Sequence, residues 1–272
     1  MTSAFDFSAK RVIVTGAASG VGAALLDVLA EQNAEHVTVV DIKTPTGPHH
    51  KFVEANLGSK TGVEAVIAAC DGRVDALFNN AGVADTQPPT TVFSVNFLAL
   101  RALSTGLVDQ MPQGAAIVNT ASTAGGQWAD RAEKINALID ITDWDEAVAW
   151  YEKEAAELNQ APYFFSKECV QLYTMRSSRP TIKRGIRTNS VCPSPIDTPL
   201  IVDFRATMTD KMIDWNISET NGRMVSAREV ATVLAFLGSD AAAYVNGVNL
   251  NVDAGFNAAM TTGQVDFSAL FA

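Results

Sequence analysis

The chain has 272 residues, 47% of them hydrophobic and 18% charged, with a formal net charge of −10, a pI near 4.7 and a mean hydropathy of +0.10. That length carries a sizeable core, and the acidic balance argues against a nucleic-acid surface or a polybasic membrane anchor. Three widely spaced cysteines, Cys70, Cys169 and Cys192, fit buried thiols in a reducing compartment better than a disulfide framework.

The opening MTSAFDFSAK has no apolar run of signal-peptide length, and no later stretch reads as long enough to span a membrane, so a cytoplasmic protein is expected. RVIVTG (11–16) is a short β-branched run ending at glycine, and VGAALLDVLAEQ (21–32) has helical spacing. HVTVVDI (36–42) and KFVEANL (51–57) read as strands, KTGVEAVIAACDG (60–72) as a helix and VDALFNNAG (74–82) as a strand. A long helix is predicted over 90–111, then a strand over 115–122. After an irregular stretch come a helix (162–178), a strand (186–191), a helix (227–238) and a strand (247–252). Repeated β-α-β units with few polar interruptions predict a doubly wound parallel sheet with helices on both faces, in one α/β domain over 1–272.

Only three histidines occur, His36, His49 and His50, with no metal-binding spacing, so a zinc enzyme is not expected. No G-x-S-x-G elbow is present either. TGAASGVG (15–22) joins the first strand to the first helix. There Gly16 permits a tight exit, Gly20 lets a phosphate approach the backbone, and Gly22 allows close helix–strand packing at a helix N-terminus. Asp41 ends the second strand, 21 residues past Gly20. Its carboxylate suits a ribose with free hydroxyls, although a plain turn residue is the other reading. Tyr163 and Lys167 lie four apart on one helical face. A half-buried ring beside a solvated amine is one explanation; an acid–base pair is the other.

Taken in order, T-G-x-x-x-G-x-G at 15–22, NNAG at 79–82, Asn96, Ser122 and Tyr163-x-x-x-Lys167 resemble the short-chain dehydrogenase/reductase family, whose sheet is of the Rossmann type. IRTNSVCPSPIDTP (186–199) and GVNLNVDAG (247–255) resemble its proline turn and last strand. The resemblance implies hydride transfer between NAD(H) and a secondary alcohol or ketone. It implies Asn96, Ser122, Tyr163 and Lys167 as the catalytic set. Tyr163 would move the proton and Ser122 would hold the substrate oxygen. Lys167 would lower the tyrosine's pKa and bind the nicotinamide ribose, and Asn96 would hold a water linking Lys167 to solvent. The same resemblance places the cofactor against Gly16, Ser19, Gly20, Val21, Gly22, Asp41, Asn56, Leu57, Asn80, Ala81, Gly82, Tyr163, Lys167, Pro193, Ile196 and Thr198. Asn56-Leu57 replaces the family's usual Asp near the adenine, and Ser194-Pro195 replaces its usual Gly after the proline. Ser122 as a strand-end hydroxyl, Asn96 as a helix-backbone partner and Thr198 as a helix cap are the structural alternatives.

Ser122 and Tyr163 are 41 residues apart against about a dozen in most of the family, so 123–162 includes a helical insertion of nearly thirty residues. Its nine acids and three bases carry −6 of the net charge. Helices are predicted over 130–140 and after a cap at Thr142 or Asp143. An insertion here resembles the bacterial 3α-hydroxysteroid dehydrogenase/carbonyl reductase subgroup, in which it covers one association face and leaves dimers joined by the last helix and strand. A surface decoration is the alternative. The segment 195–225 corresponds to the family's substrate lid; its Leu200, Ile201, Phe204, Met208, Met212, Trp215 and Ile217 favour a steroid, cyclic alcohol or aryl ketone, with Trp128 beside the same pocket. A reductase of 3-oxoacyl thioesters and a non-catalytic dinucleotide sensor are the rival readings.

Overall fold

The computed structural model describes residues 3–70, 72–158 and 160–265. Strands β1 (Arg11–Thr15), β2 (His36–Asp41) and β3 (Lys51–Glu54) are joined by helices α1 (Gly20–Glu31) and, after β3, α2 (Lys60–Ala69). β4 (Ala76–Asn79) leads into α3 (Pro89–Phe93), a π-helical turn at Ser94–Leu98 and α4 (Ala99–Leu107), and then to β5 (Ala116–Thr120). α5 (Ala132–Asp140) and α6 (Trp144–Leu158) precede the long α7 (Pro162–Ile182) and β6 (Arg187–Pro193). The two-residue strands β7 (Ile196–Asp197) and β8 (Val225–Ser226) bracket α8 (Ile201–Met208) and α9 (Asp210–Ser218). α10 (Ala227–Gly238), β9 (Asn249–Val252) and α11 (Phe256–Thr261) complete the order.

Seven strands form one parallel sheet in the order β3-β2-β1-β4-β5-β6-β9. After β3 the chain crosses from one edge to the far side of β1, so the crevice between β1 and β4 is the topological switch point. Alternating side chains feed two faces. Val12, Val14, Val37, Val39, Phe78 and Val118 pack with α1 and α10, whereas Ile13, Val40, Leu77 and Ile117 pack with α2 and α4. Long runs of β-branched residues follow from burial on both faces.

Several boundaries differ from expectation. β3 stops at Glu54, because Asn56 turns the chain by accepting Gly58 N–H at 2.9 Å on its side chain. The expected helix over 90–111 is broken by the π turn. Contrary to expectation, the run Pro89–Gln110 reaches 22 residues and is apolar enough to cross a membrane by length and composition, but 67% of its most apolar window is buried inside the protein. It is a core element here. Asp143 rather than Thr142 caps α6, accepting Asp145 N–H at 2.9 Å and Glu146 N–H at 3.0 Å.

The insertion packs on α4 and α7. Ile135, Leu138, Ala147, Tyr151 and Leu158 join Phe93, Phe97, Leu100, Phe165 and Cys169 in one buried cluster. Arg101 of α4 donates to the carbonyls of Leu138 (3.2 Å) and Ile141 (2.6 Å), where the end of α5 presents partial negative charge. Arg131 grips Glu168 of α7 through Nε at 2.6 Å and a second N–H.

Candidate active site

The glycine turn is built for close approach. Gly16 has φ +70° and a Cβ there would stand 2.6 Å from Ala81 Cα; one on Gly22 would stand 2.1 Å from Gly16 O. Gly20, at φ +56°, instead faces the cleft, its nearest neighbour being the Thr198 methyl at 3.4 Å. This shape suits a phosphate lying against backbone at the start of α1. Ser19, the first residue before that helix, makes no side-chain capping bond.

Asn80 ties three strand ends together. Its Nδ2 donates to Gly16 O at 3.0 Å, and its Oδ1 accepts from Thr120 Oγ1 at 3.2 Å. Thr15 Oγ1 accepts the amides of Asn80 and Ala81, both at 3.0 Å. Beneath it, Asn79 donates to Ser104 Oγ and Asn119 Oδ1, both at 3.0 Å, fixing β4 against β5. Asp41 accepts Ala18 N–H at 2.9 Å and Lys43 N–H at 3.0 Å. It therefore shapes the turn, and it also lines the cleft.

One cavity of about 1460 Å³ runs past Gly16, Ser19, Gly20, Val21, Asp41, Asn56, Leu57, Asn80, Ala81 and Gly82 to Ser122, Tyr163, Lys167, Pro193, Ile196 and Thr198. Gly22 and Asn96 stand behind its wall. Asn96 lies in the π turn, a distortion that recurs at functional sites. Its side chain closes on the Val83 peptide, accepting from N at 2.8 Å and donating to O at 3.0 Å, with a further bond to Ser166 Oγ at 3.1 Å. Asn96 and Lys167 nevertheless converge: a Cβ on Gly82 would lie 3.4 Å from Asn96 Oδ1 and 3.8 Å from Lys167 Nζ.

Tyr163 is 8% exposed and Lys167 is 4% exposed. The Lys167 ammonium donates to Thr120 O at 2.7 Å and lies 5.6 Å from the centre of the Tyr163 ring. The expected lowering of the tyrosine does not occur in the protein alone. Burial pushes the phenol up to about 12, opposed by its hydrogen bond with Ser122 and reinforced by the charge of Asp85. Burial also brings Lys167 down to about 8. Desolvation is the dominant cause for both groups. At neutral pH the phenol therefore carries its proton.

The lid residues Leu200, Ile201, Phe204, Met208, Met212 and Trp215 face the cleft, and Ile217 does not. Phe204 meets the Tyr163 ring edge-on at 4.7 Å, and Trp215 meets Phe256 at 5.4 Å. Trp128, expected beside the pocket, instead packs on the insertion's core, because the short helical turn at Trp128–Arg131 carries it toward α5. Phe164 lines the cleft without having been foreseen, although it adjoins Tyr163; Phe256 and Met260 line it too, from the terminal segment expected near the interface or the active-site rim.

Residues 10–132 match the family model described as short chain dehydrogenase, and residues 147–257 match that described as enoyl-(acyl carrier protein) reductase. The intervening residues belong to the insertion. A coniferyl-alcohol dehydrogenase from a Pseudomonas species is 29% identical over 90% of this chain and 96% of its own. A cis-4-hydroxycyclohexanecarboxylate dehydrogenase from Sinomonas cyclohexanicum is 30% identical over 93% of this chain and 98% of its own. Among solved structures, a Pseudomonas 3α-hydroxysteroid dehydrogenase in complex with NADH superposes with a TM-score of 0.79 at 29% identity, covering 94% of this chain and all of that one. The chain thus belongs to the short-chain dehydrogenase/reductase family, nicotinamide-dinucleotide oxidoreductases of alcohols and carbonyls.

Proposed function

We propose that this protein is an NAD(H)-dependent dehydrogenase/reductase of a hydrophobic secondary alcohol and its ketone. One observation carries the reading: Ser122, Tyr163 and Lys167 line one cleft together where the glycine-turn groove meets an apolar lid. The bound dinucleotide supplies or accepts the hydride. Tyr163, protonated at neutral pH, donates to the carbonyl oxygen in reduction and accepts the proton in oxidation. Ser122 holds that oxygen beside the phenol as charge develops on it. Lys167 has one N–H on Thr120 O, leaving two donors for hydroxyls of the nicotinamide ribose. The Asn96 side chain is engaged by Val83 and Ser166, which weakens its expected role as holder of a water beside Lys167.

Asp41 supports NAD(H) over its phosphorylated form. A 2′-phosphate at the ribose would lie beside this carboxylate, and charges ~4 Å apart at an effective ε of ~20 repel by about 4 kcal/mol. Even ~1.4 kcal/mol of that surviving solvent screening is tenfold in affinity. The substrate class is supported by Phe204, Met208, Met212, Trp215, Phe256 and Met260 around the cleft and by the ring secondary alcohol in one relative's name. A thioester substrate with its long anionic carrier finds less support, because Arg205 in the lid is consumed by Asp210 and Asp214, both at 2.8 Å. The test follows reduced-nicotinamide absorbance with both cofactors and a panel of secondary alcohols and ketones. kcat/KM should favour NAD(H), and Asp41→Ala should relax the preference; a preference for NADP(H) overturns the cofactor reading.

A further inference from the structure

Helix α7 begins without a cap of its own. Ala161 at the N-cap position has no side-chain acceptor, and Pro162 has no N–H, so the amide of Tyr163 is the first orphan donor of the helix. That donor is taken by a residue 78 positions away. Asp85 Oδ1 accepts Tyr163 N–H at 2.8 Å. The loop that carries it is pinned throughout. Ala81 is held by Thr15, Val83 by Asn96, and Asp85 by Tyr163.

We infer that Asp85 is a positioning residue of the reaction, fixing Tyr163 through its backbone and acting on its phenol by charge. The inference rests on Tyr163 as the acid–base group. A side-chain acceptor at a helix start is worth about 1 kcal/mol of local order, and here it orders the residue whose phenol must meet the substrate oxygen. The charge has few rivals. Lys167 lies one turn along α7, Ser122 follows β5, the Cys192 thiol comes from β6, and Asp203 lines the cleft from the lid. Tyr151 of α6 also feels the Asp85 charge. Burial holds the Asp85 carboxyl above its usual range. Even so, it is ionised in the alkaline range where Tyr163 loses its proton.

The experiment compares wild type with Asp85→Asn and Asp85→Ser, two neutral residues that still cap a helix. Each is assayed for kcat of alcohol oxidation against pH, with saturating NAD and the panel alcohol that wild type oxidises fastest. Ionisation of Tyr163 is titrated separately, as phenolate difference absorbance against Tyr163→Phe with NAD bound. Removing the charge should shift both the rising limb of kcat and the phenolate titration by about 0.5–1 unit to lower pH. Asp85→Ala, which removes the cap as well, should also lose kcat several-fold. Profiles of Asp85→Asn and Asp85→Ser that superpose on wild type, or that move to higher pH, would overturn the inference and leave Asp85 a plain cap. Turnover by Tyr163→Phe would be a different failure, that of the acid–base reading itself.

Discussion

Tyr163 carries the largest expectation of any single side chain. Its phenol stands near 12 in the protein alone, so at neutral pH it keeps its proton and gives it up less readily than a free phenol until positive charge beside it favours the phenolate. Tyr163→Phe removes the hydroxyl and little else: the ring keeps its edge contact with Phe204. Fold and dinucleotide binding should therefore persist, while kcat falls by ~10²–10⁴. Fluorescence titration with NADH beside a turnover assay checks both halves, and near-normal turnover defeats the assignment. The proposed site is legible in sequence where one residue type in one register answers the need, as for the positive φ of Gly16 and the side chains of Ser122, Tyr163 and Lys167. Asp85 is not legible, since a bond from a loop to an amide 78 residues away leaves no spacing to find. Nor does a motif reveal that Asn80 and Asn96 turn their side chains to backbone groups.

The insertion shows what periodicity can and cannot reveal about an element. Steps of three and four marked α5 and α6, but the faces they meet are fixed by long-range pairs. Arg131 on Glu168 is the firmest of these. The carboxylate is fully buried and the arginine 19% exposed, with Gln160 donating a further bond at 3.1 Å. Arg131→Ala strands a charge inside the protein, which should destabilise by roughly 3 kcal/mol, the lower end of the usual range because Gln160 remains. The double change Arg131→Met with Glu168→Leu should recover most of that loss, since an apolar pair of similar volume removes the stranded charge. Denaturant midpoints of the three proteins decide it. A single variant as stable as wild type would mean that the pair does not anchor α5 and α6 to α7.

The whole molecule inherits a consequence from that anchoring. The cluster formed by α4, α5, α6 and α7 covers the face expected, from the resemblance to the family, for association between subunits. β9 ends the sheet among the described residues, and an edge strand is a ready surface for a second copy. From sequence, Val230, Val233, Leu234 and Leu237 fall at helical spacing on α10, with some of them expected to face their own sheet. Val230, Leu234 and Leu237 are fully buried in their own core, and the accessible side of α10 carries Ala227, Val233 and Phe236 beside the exposed Arg228, Glu229 and Thr232. Tyr244, in the turn before β9, is fully exposed. The terminal segment 256–272 was expected near the interface or the active-site rim. Phe256, Asn257 and Met260 line the cleft, and 266–272 lie outside the described residues. We propose a homodimer joined through α10 and β9, whose mass by light scattering should be twice the 28.9 kDa of one chain. Tyr244→Glu, placing a charge on each side of a twofold contact, should weaken it and raise the monomer fraction on dilution. A tetramer closed through α4 and α7 would require α5 and α6 to leave the cluster that buries Ile135, Leu138 and Tyr151. Finding one would refute the assembly and show that the insertion folds elsewhere in solution.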